Sequence, residues 1–278
     1  MNLLSAERES ALAARAREVR ELTLKAIHHV QTGHPGSSLS MVELLTYLYF
    51  SWLRIRPEEP GWRGRDFFIL SKGHGAPSYY AALAIRGFLP REELYTLRQL
   101  GSRLQGHPNA HDLPAVDAST GSLGQGLSIA VGLALGLKHQ QRPNRVVCVL
   151  GDGELQEGQI WEAAMTAAAR SLDNLTVVID RNGLQNDGPT EDIVALDDLE
   201  AKWSAFKFQT MTADGHDFAQ LHQAFARAGT EGRPTAIIAR TIKGRGVSFM
   251  EGVTHWHHHP ISDGELEQAL VEIARGAA

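Results

Sequence analysis

Arg145-Val146-Val147-Cys148-Val149-Leu150-Gly151-Asp152-Gly153 carries the most structural information in the chain. A short apolar run with three valines, closed at once by Gly-Asp-Gly, reads as a strand buried on both faces and ended by a turn. Beyond it, Ile160, Trp161, Ala164 and Met165 share one face of a helix. The same order recurs on either side. Phe67 to Leu70, Leu175 to Asp180, Phe206 to Thr212 and Thr235 to Ala239 are further β-like runs separated by helical stretches. Strands alternating with helices imply an α/β fold, a mostly parallel sheet with helices on both faces. No repeat, low-complexity tract or linker divides the sequence, so residues 1–278 are expected to form a single domain.

Outside that framework, Ser5 to Val30 reads as a charged amphipathic helix, and Gln31 to Ser38 as a loop. Ser40-Met41-Val42-Glu43 has the pattern of a capping box opening a helix through Leu44, Leu45 and Leu48. Gly252 to Pro260 reads as a late loop, and Ser262-Asp263-Gly264-Glu265 as a second capping box before a final helix. The 27 Lys+Arg against 32 Asp+Glu form no basic runs, which argues against a nucleic-acid partner. One cysteine, Cys148, rules out a disulfide framework within the chain and points to the reducing cytoplasm. The glutamates among Met1 to Val30 are unlike a signal or transit peptide, and no run is long enough to span a bilayer.

Asp152 sits where an open α/β sheet binds ligands, at the C-terminal end of a strand, and its flanking glycines permit close backbone approach. It could hold a cation that bridges phosphates, or simply cap a turn. The next strand ends in Asp180-Arg181-Asn182-Gly183-Leu184. If the two strands are neighbours, one carboxylate, one amide and one carbonyl converge, which suits the octahedral oxygen ligation of magnesium. The sequence from Gly121 to Gly126, ahead of a helix beginning near Leu127, can turn backbone donors toward an anion, or form only a closely packed helix start.

Gly151-Asp152-Gly153 followed by Asn182 matches the thiamine-diphosphate signature. Thr32-Gly33-His34-Pro35-Gly36-Ser37, Ser71-Lys72-Gly73-His74-Gly75-Ala76-Pro77, Gly106-His107-Pro108, Gly121-Ser122-Leu123-Gly124-Gln125-Gly126, Asp214-Gly215-His216-Asp217, Lys243-Gly244 and Trp256-His257 follow in transketolase order. Along nearly its whole length the chain resembles the N-terminal, diphosphate-binding subunit of a split two-gene transketolase.

That resemblance implies a thiamine-diphosphate-binding fold and a transferase that moves a two-carbon ketol unit from a ketose phosphate to an aldose phosphate, as in pentose phosphate metabolism. It implies Asp152, Asn182 and the main-chain oxygen of Leu184 as ligands of magnesium, with calcium or manganese able to substitute. Ser37, His74, Gly121, Ser122, Leu123, Gly153, Asn182 and Lys243 are implied as cofactor-binding, with Ser37 reading equally as a cap on the adjacent loop, and His34, His107 and His257 as catalytic. Imidazole suits that work because it can donate and accept near neutral pH. Glu157 and Glu162 are implied at a dimer interface, although helix-surface carboxylates read the same way. In His255-Trp256-His257-His258-His259 the alignment selects His257. The neighbouring imidazoles lack cysteine or acidic partners for zinc or copper, and His258 and His259 read as a solvated loop.

The glutamate that activates the cofactor lies in the following domain of a transketolase. The resemblance therefore implies a partner, a C-terminal subunit carrying the pyrimidine-binding domain, with two copies of each chain in a heterotetramer. The α-subunit of a 2-oxo-acid dehydrogenase would share Gly-Asp-Gly and Asn but has no reason to carry the histidine motifs. A non-catalytic cofactor-binding half and a split transketolase for an atypical sugar phosphate remain as alternatives.

Overall fold

The computed structural model describes residues 3–276, so both ends of the expected 1–278 domain, residues 1–2 and 277–278, lie outside the described residues. Five parallel strands form one sheet: β1 (Phe67–Leu70), β2 (Val146–Gly151), β3 (Leu175–Arg181), β4 (Gln209–Asp214) and β5 (Thr235–Arg240), in the order β1-β2-β3-β5-β4. Alternate residues of the central strands feed two separate cores. Val147 and Val149 of β2 pack on one side, while Val146, Cys148 and Leu150 pack on the other. That is why the run in β2 is apolar without alternation.

Helices cover both faces. One core takes in α1 (Ala6–Val30), α2 (Pro35–Leu39), α3 (Val42–Tyr47) and α4 (Ala76–Arg86); the other takes in α5 (Gln125–His139) and α6 (Gly158–Ala169). After β3 come a single turn, α7 (Thr190–Ile193), and then α8 (Leu199–Ala205), which joins the α5–α6 side. Helices α9 (Phe218–Ala226) and α10 (Asp263–Arg275) return to the α1 side. Among the described residues no helix is long and apolar enough to cross a membrane.

Three local expectations change. The expected loop 31–38 ends early, because Pro35 at the first helical position, with its fixed φ, starts α2 after His34. The Ser40–Glu43 capping box does not form. Met41 is the residue before α3 and makes no side-chain cap, because Ser40 Oγ is drawn to the Asp180 carboxylate and Glu43 to Arg20 and His216. The fourth strand begins at Gln209 rather than Phe206, since α8 closes on Phe206 and Lys207 turns through φ 65°. The second capping box forms as expected, with reciprocal bonds between Ser262 and Glu265.

Candidate active site

Strands β2 and β3 are neighbours, with Gly151 paired to Asp180, so Asp152 and the Asn182–Leu184 segment leave the same edge of the sheet side by side. They border a cleft of about 380 Å³. Asp152 is 1% exposed; its Oδ1 accepts from Gly153 N at 2.8 Å and its Oδ2 from Gly183 N at 2.5 Å. Burial, and next the charge of Asp180, push the Asp152 carboxyl above the usual carboxylate range. A carboxylate so placed gains from a cation. Asn182 Oδ1 accepts from Leu184 N at 3.1 Å, and the carbonyl of Leu184 accepts from Lys243 Nζ at 3.2 Å.

Three buried charged residues beneath the cleft were not singled out by the sequence. Lys72 and Asp180 form an ion pair at the floor, with Ser40 and Thr241 also donating to Asp180. Burial raises the Asp180 carboxyl, but the Lys72 ammonium and these donors outweigh it and hold it low. Glu154, in the tight turn Gly153–Gln156, accepts from Ser71 Oγ and from Gly124 N at 2.9 Å through one oxygen, and from Gly151 N at 3.0 Å through the other. One carboxylate thus joins the end of β1, the end of β2 and the Gly121–Gly126 loop. Gly124 can open α5 because its φ of 85° suits glycine. The only hint in the sequence was a charged residue directly after Gly-Asp-Gly.

On the far wall stand the histidines. The ring of His34 lies 5.3 Å from that of His74, 6.3 Å from His107 and 5.5 Å from His257. Burial first, then neighbouring cations and rings, keeps them neutral: His34 falls to about 3, His257 to about 4, and His74 and His107 are also lowered. Lys243 is 1% exposed, and burial followed by Lys72 brings its amine down to about 8. Its Nζ donates to His257 Nδ1 at 2.8 Å, which leaves the ring proton on Nε2. His216, in the Asp214–Asp217 motif, lies outside this wall: its Nε2 accepts from Ile242 N at 2.9 Å and so fixes the backbone next to Lys243.

The cleft thus gathers His34, Ser37, His74, His107, Gly121, Leu123, Asp152, Gly153, Asn182, Leu184, Lys243 and His257. Glu157 is exposed at its rim, whereas Ser122 and Glu162 are exposed and do not line it. His258 is exposed on the loop after the turn Thr254–His257, as expected, and its ring also lies 4.6 Å from that of His34.

The residues fit a diphosphate cofactor held through a hard cation. Ser37 Oγ and His34 Nδ1 are buried at the cleft without a hydrogen-bond partner, so polar atoms there await one. Among the described residues no group of three or more His, Cys, Asp or Glu could hold a metal; the oxygens that this edge of the cleft offers are the Asp152 carboxylate, the Asn182 amide and the Leu184 carbonyl.

Residues 12–274 match the family model for the transketolase, thiamine diphosphate binding domain. The chain is 42% identical over 273 residues to the 6-deoxy-6-sulfo-D-fructose transketolase subunit of Clostridium sp. (strain MSTE9), covering 98% of this chain and 99% of that one. It is 44% identical over 241 residues to an apulose-4-phosphate transketolase subunit of Actinobacillus succinogenes, covering 87% of each. Against human transketolase it is 39% identical over 95% of this chain, yet it spans 42% of that protein's length. The crystal structure of transketolase from Campylobacter jejuni superposes with a TM-score of 0.91 at 30% identity, over 99% of this chain and 43% of that one. The cleft, the family model and these relatives agree, and the chain belongs to the transketolase family as a thiamine diphosphate binding domain.

Proposed function

We propose that this chain is the cofactor-binding subunit of a two-subunit transketolase, which moves a two-carbon ketol unit from a ketose phosphate to an aldose phosphate. The observation that carries this reading is one cleft with two chemistries: Asp152, Asn182, the Leu184 carbonyl and Lys243 on one side, and neutral His34, His74, His107 and His257 on the other. Asp152, Asn182 and Leu184 would hold magnesium, with calcium or manganese as substitutes, and Lys243 with Gly153 would receive the diphosphate. When bound, thiamine diphosphate supplies the nucleophilic carbon that carries the two-carbon unit.

The chain's own residues bind and orient. A neutral imidazole donates from one nitrogen and accepts at the other, so His34, His107 and His257 can hold sugar hydroxyls and move a proton to or from an oxygen as charge develops there. His257 offers Nε2–H, because Lys243 occupies its Nδ1. Ser37 Oγ is free to bond a cofactor atom.

The rest of the active site belongs to a C-terminal subunit with the pyrimidine-binding domain, two copies of each chain forming a heterotetramer. Supporting this, the chain matches relatives named as transketolase subunits along nearly their whole length, and covers 42% of human transketolase. The buried thiol Cys148 suits a reducing compartment, and we assign the chain to the cytoplasm. A second reading, a transketolase for a modified sugar, is favoured by the names of the same two relatives, which specify sulfofructose and apulose 4-phosphate.

The test mixes the chain with its C-terminal partner, thiamine diphosphate and magnesium, and follows transfer from xylulose 5-phosphate to ribose 5-phosphate, with either chain by itself serving as control. Activity only in the mixture supports the first reading. Cofactor binding without transfer directs the search to modified sugars, and no cofactor binding by the mixture sinks both.

A further inference from the structure

Arg181 is the last residue of β3, next to the strand ends that border the cleft, yet it does not line the cleft and bonds instead to Asp152 and to the sequence that follows. One end of its guanidinium, Nη1, donates to Asp152 Oδ2 at 3.2 Å and to Thr190 Oγ1 at 2.6 Å; the other, Nη2, donates to Glu191 Oε1 at 2.6 Å. Glu191 in turn accepts from the backbone N–H groups of Leu196 at 3.2 Å and Asp197 at 3.3 Å. Thr190 N donates to Gly183 O at 2.9 Å, and Leu184 bridges Pro189. The excursion 183–197 is therefore closed on itself at Gly183, Thr190 and Glu191. Among the described residues, the Arg181 side chain is what joins its acidic end to Asp152.

The excursion carries the Leu184 carbonyl and exposes Ile193 and Val194, at 45% and 56%. Those apolar side chains contribute little to holding it in place; the buried Leu196 anchors its far end in the core, Gln156 Nε2 donates to the Val194 carbonyl at 2.9 Å, and the placement of its base beside Asp152 depends on the hydrogen bonds there. A planar guanidinium can satisfy three acceptors in fixed directions, which an ammonium on a flexible stem cannot.

We propose that Arg181 is a positioning residue, a clasp that sets the 183–197 excursion against Asp152 so that the Leu184 carbonyl is presented to the cation beside that carboxylate. The inference rests on the proposed cofactor site and adds a residue that touches neither cofactor nor substrate. Arg181 acts by preorganisation, which lowers the ordering cost of binding.

The test uses the full chain together with its C-terminal partner. Thiamine diphosphate is held saturating, and magnesium is titrated while cofactor binding is read by calorimetry. Hydrogen exchange of the 184–197 peptide is read in parallel. Arg181→Met is expected to raise the magnesium concentration for half-saturation about tenfold, the loss of roughly one charged hydrogen bond, and to speed exchange at Leu196 and Asp197. Glu191→Ala cuts the far half of the clasp while leaving the Arg181–Asp152 pair intact. It should shift both readouts the same way, and Arg181→Lys should rescue the magnesium affinity only in part.

Unchanged or tighter magnesium binding in Arg181→Met overturns the clasp, as does a normal response in Glu191→Ala, which would make Arg181 only a counter-charge to Asp152. A fall in protection spread over all peptides would mean a general folding defect and also overturns it. Failure of the unaltered complex to bind the cofactor is a separate result, which overturns the function proposed above.

Discussion

Lys243 Nζ lies 2.8 Å from Nδ1 of His257 and 3.2 Å from the carbonyl oxygen of Leu184, so one buried lysine joins the histidine wall to the Asp152 side of the cleft. Lys243→Met should weaken thiamine diphosphate binding about tenfold to a hundredfold, the range for a lost hydrogen bond to a charged group. The amine sits near 8 in the folded chain. Raising the pH through that value removes its charge, so affinity in the unaltered protein falls on the alkaline side. Because a bound diphosphate favours the charged amine, the fall lies at or above this value. Calorimetry from neutral to alkaline pH should show this limb, and its persistence in Lys243→Met would assign it elsewhere.

Stability should fall in mild acid. The unfolded imidazoles take protons near 6.5, whereas in the folded chain His34 does so near 3 and His257 near 4. Between those values the unfolded state binds more protons, so stability decreases as the pH drops below about 6.5, by linkage. Denaturant midpoints measured from neutral pH downward should decline, and His34→Gln should make the decline shallower. An unchanged slope in that variant would mean His34 is not buried neutral.

Gly126→Ala tests the contact between the Gly121–Gly126 loop and β1. An added methyl would lie 2.6 Å from Ser71 Cβ and 2.7 Å from Ser71 Cα, where backbone must shift. Thermal unfolding should show a loss of about 1–3 kcal/mol, the usual cost of overpacking. The Ser71–Glu154 bond lies at the same contact, so cofactor affinity should drop as well. Wild-type stability would show that the loop yields.

Asp152→Asn keeps the shape but removes the charge at the cation side. Thiamine diphosphate binding should lose its dependence on magnesium and weaken at least tenfold, while circular dichroism stays native. In the unaltered protein, the raised Asp152 carboxyl protonates earlier than an ordinary aspartate as the pH falls. Magnesium-dependent binding should therefore disappear at a higher pH than an unperturbed carboxylate would give. Binding that still responds to magnesium in Asp152→Asn would place the metal elsewhere.

Architecture and strand ends were both legible from the pattern of residues. Apolar runs such as Val146 to Leu150 can be satisfied only between two layers, and Gly151-Asp152-Gly153 marks where one of them stops. The motifs around His34, His74, His107 and His257 were legible because each residue sits in a local pattern. Local pattern was also what misled at Ser40 and Glu43. Both fit a capping box, but a buried carboxylate 140 residues away and a buried arginine 23 residues back offer them stronger partners. Folding, and no local pattern, pairs Lys72 with Asp180, lets Glu154 tie three segments together, brings His258 to His34 and sets Arg181 against Asp152. A buried charge takes whichever partner the fold brings to it, and desolvation makes that choice costly to change. Spacing along the chain records periodicity and turns, but it carries no record of which charges meet across strands.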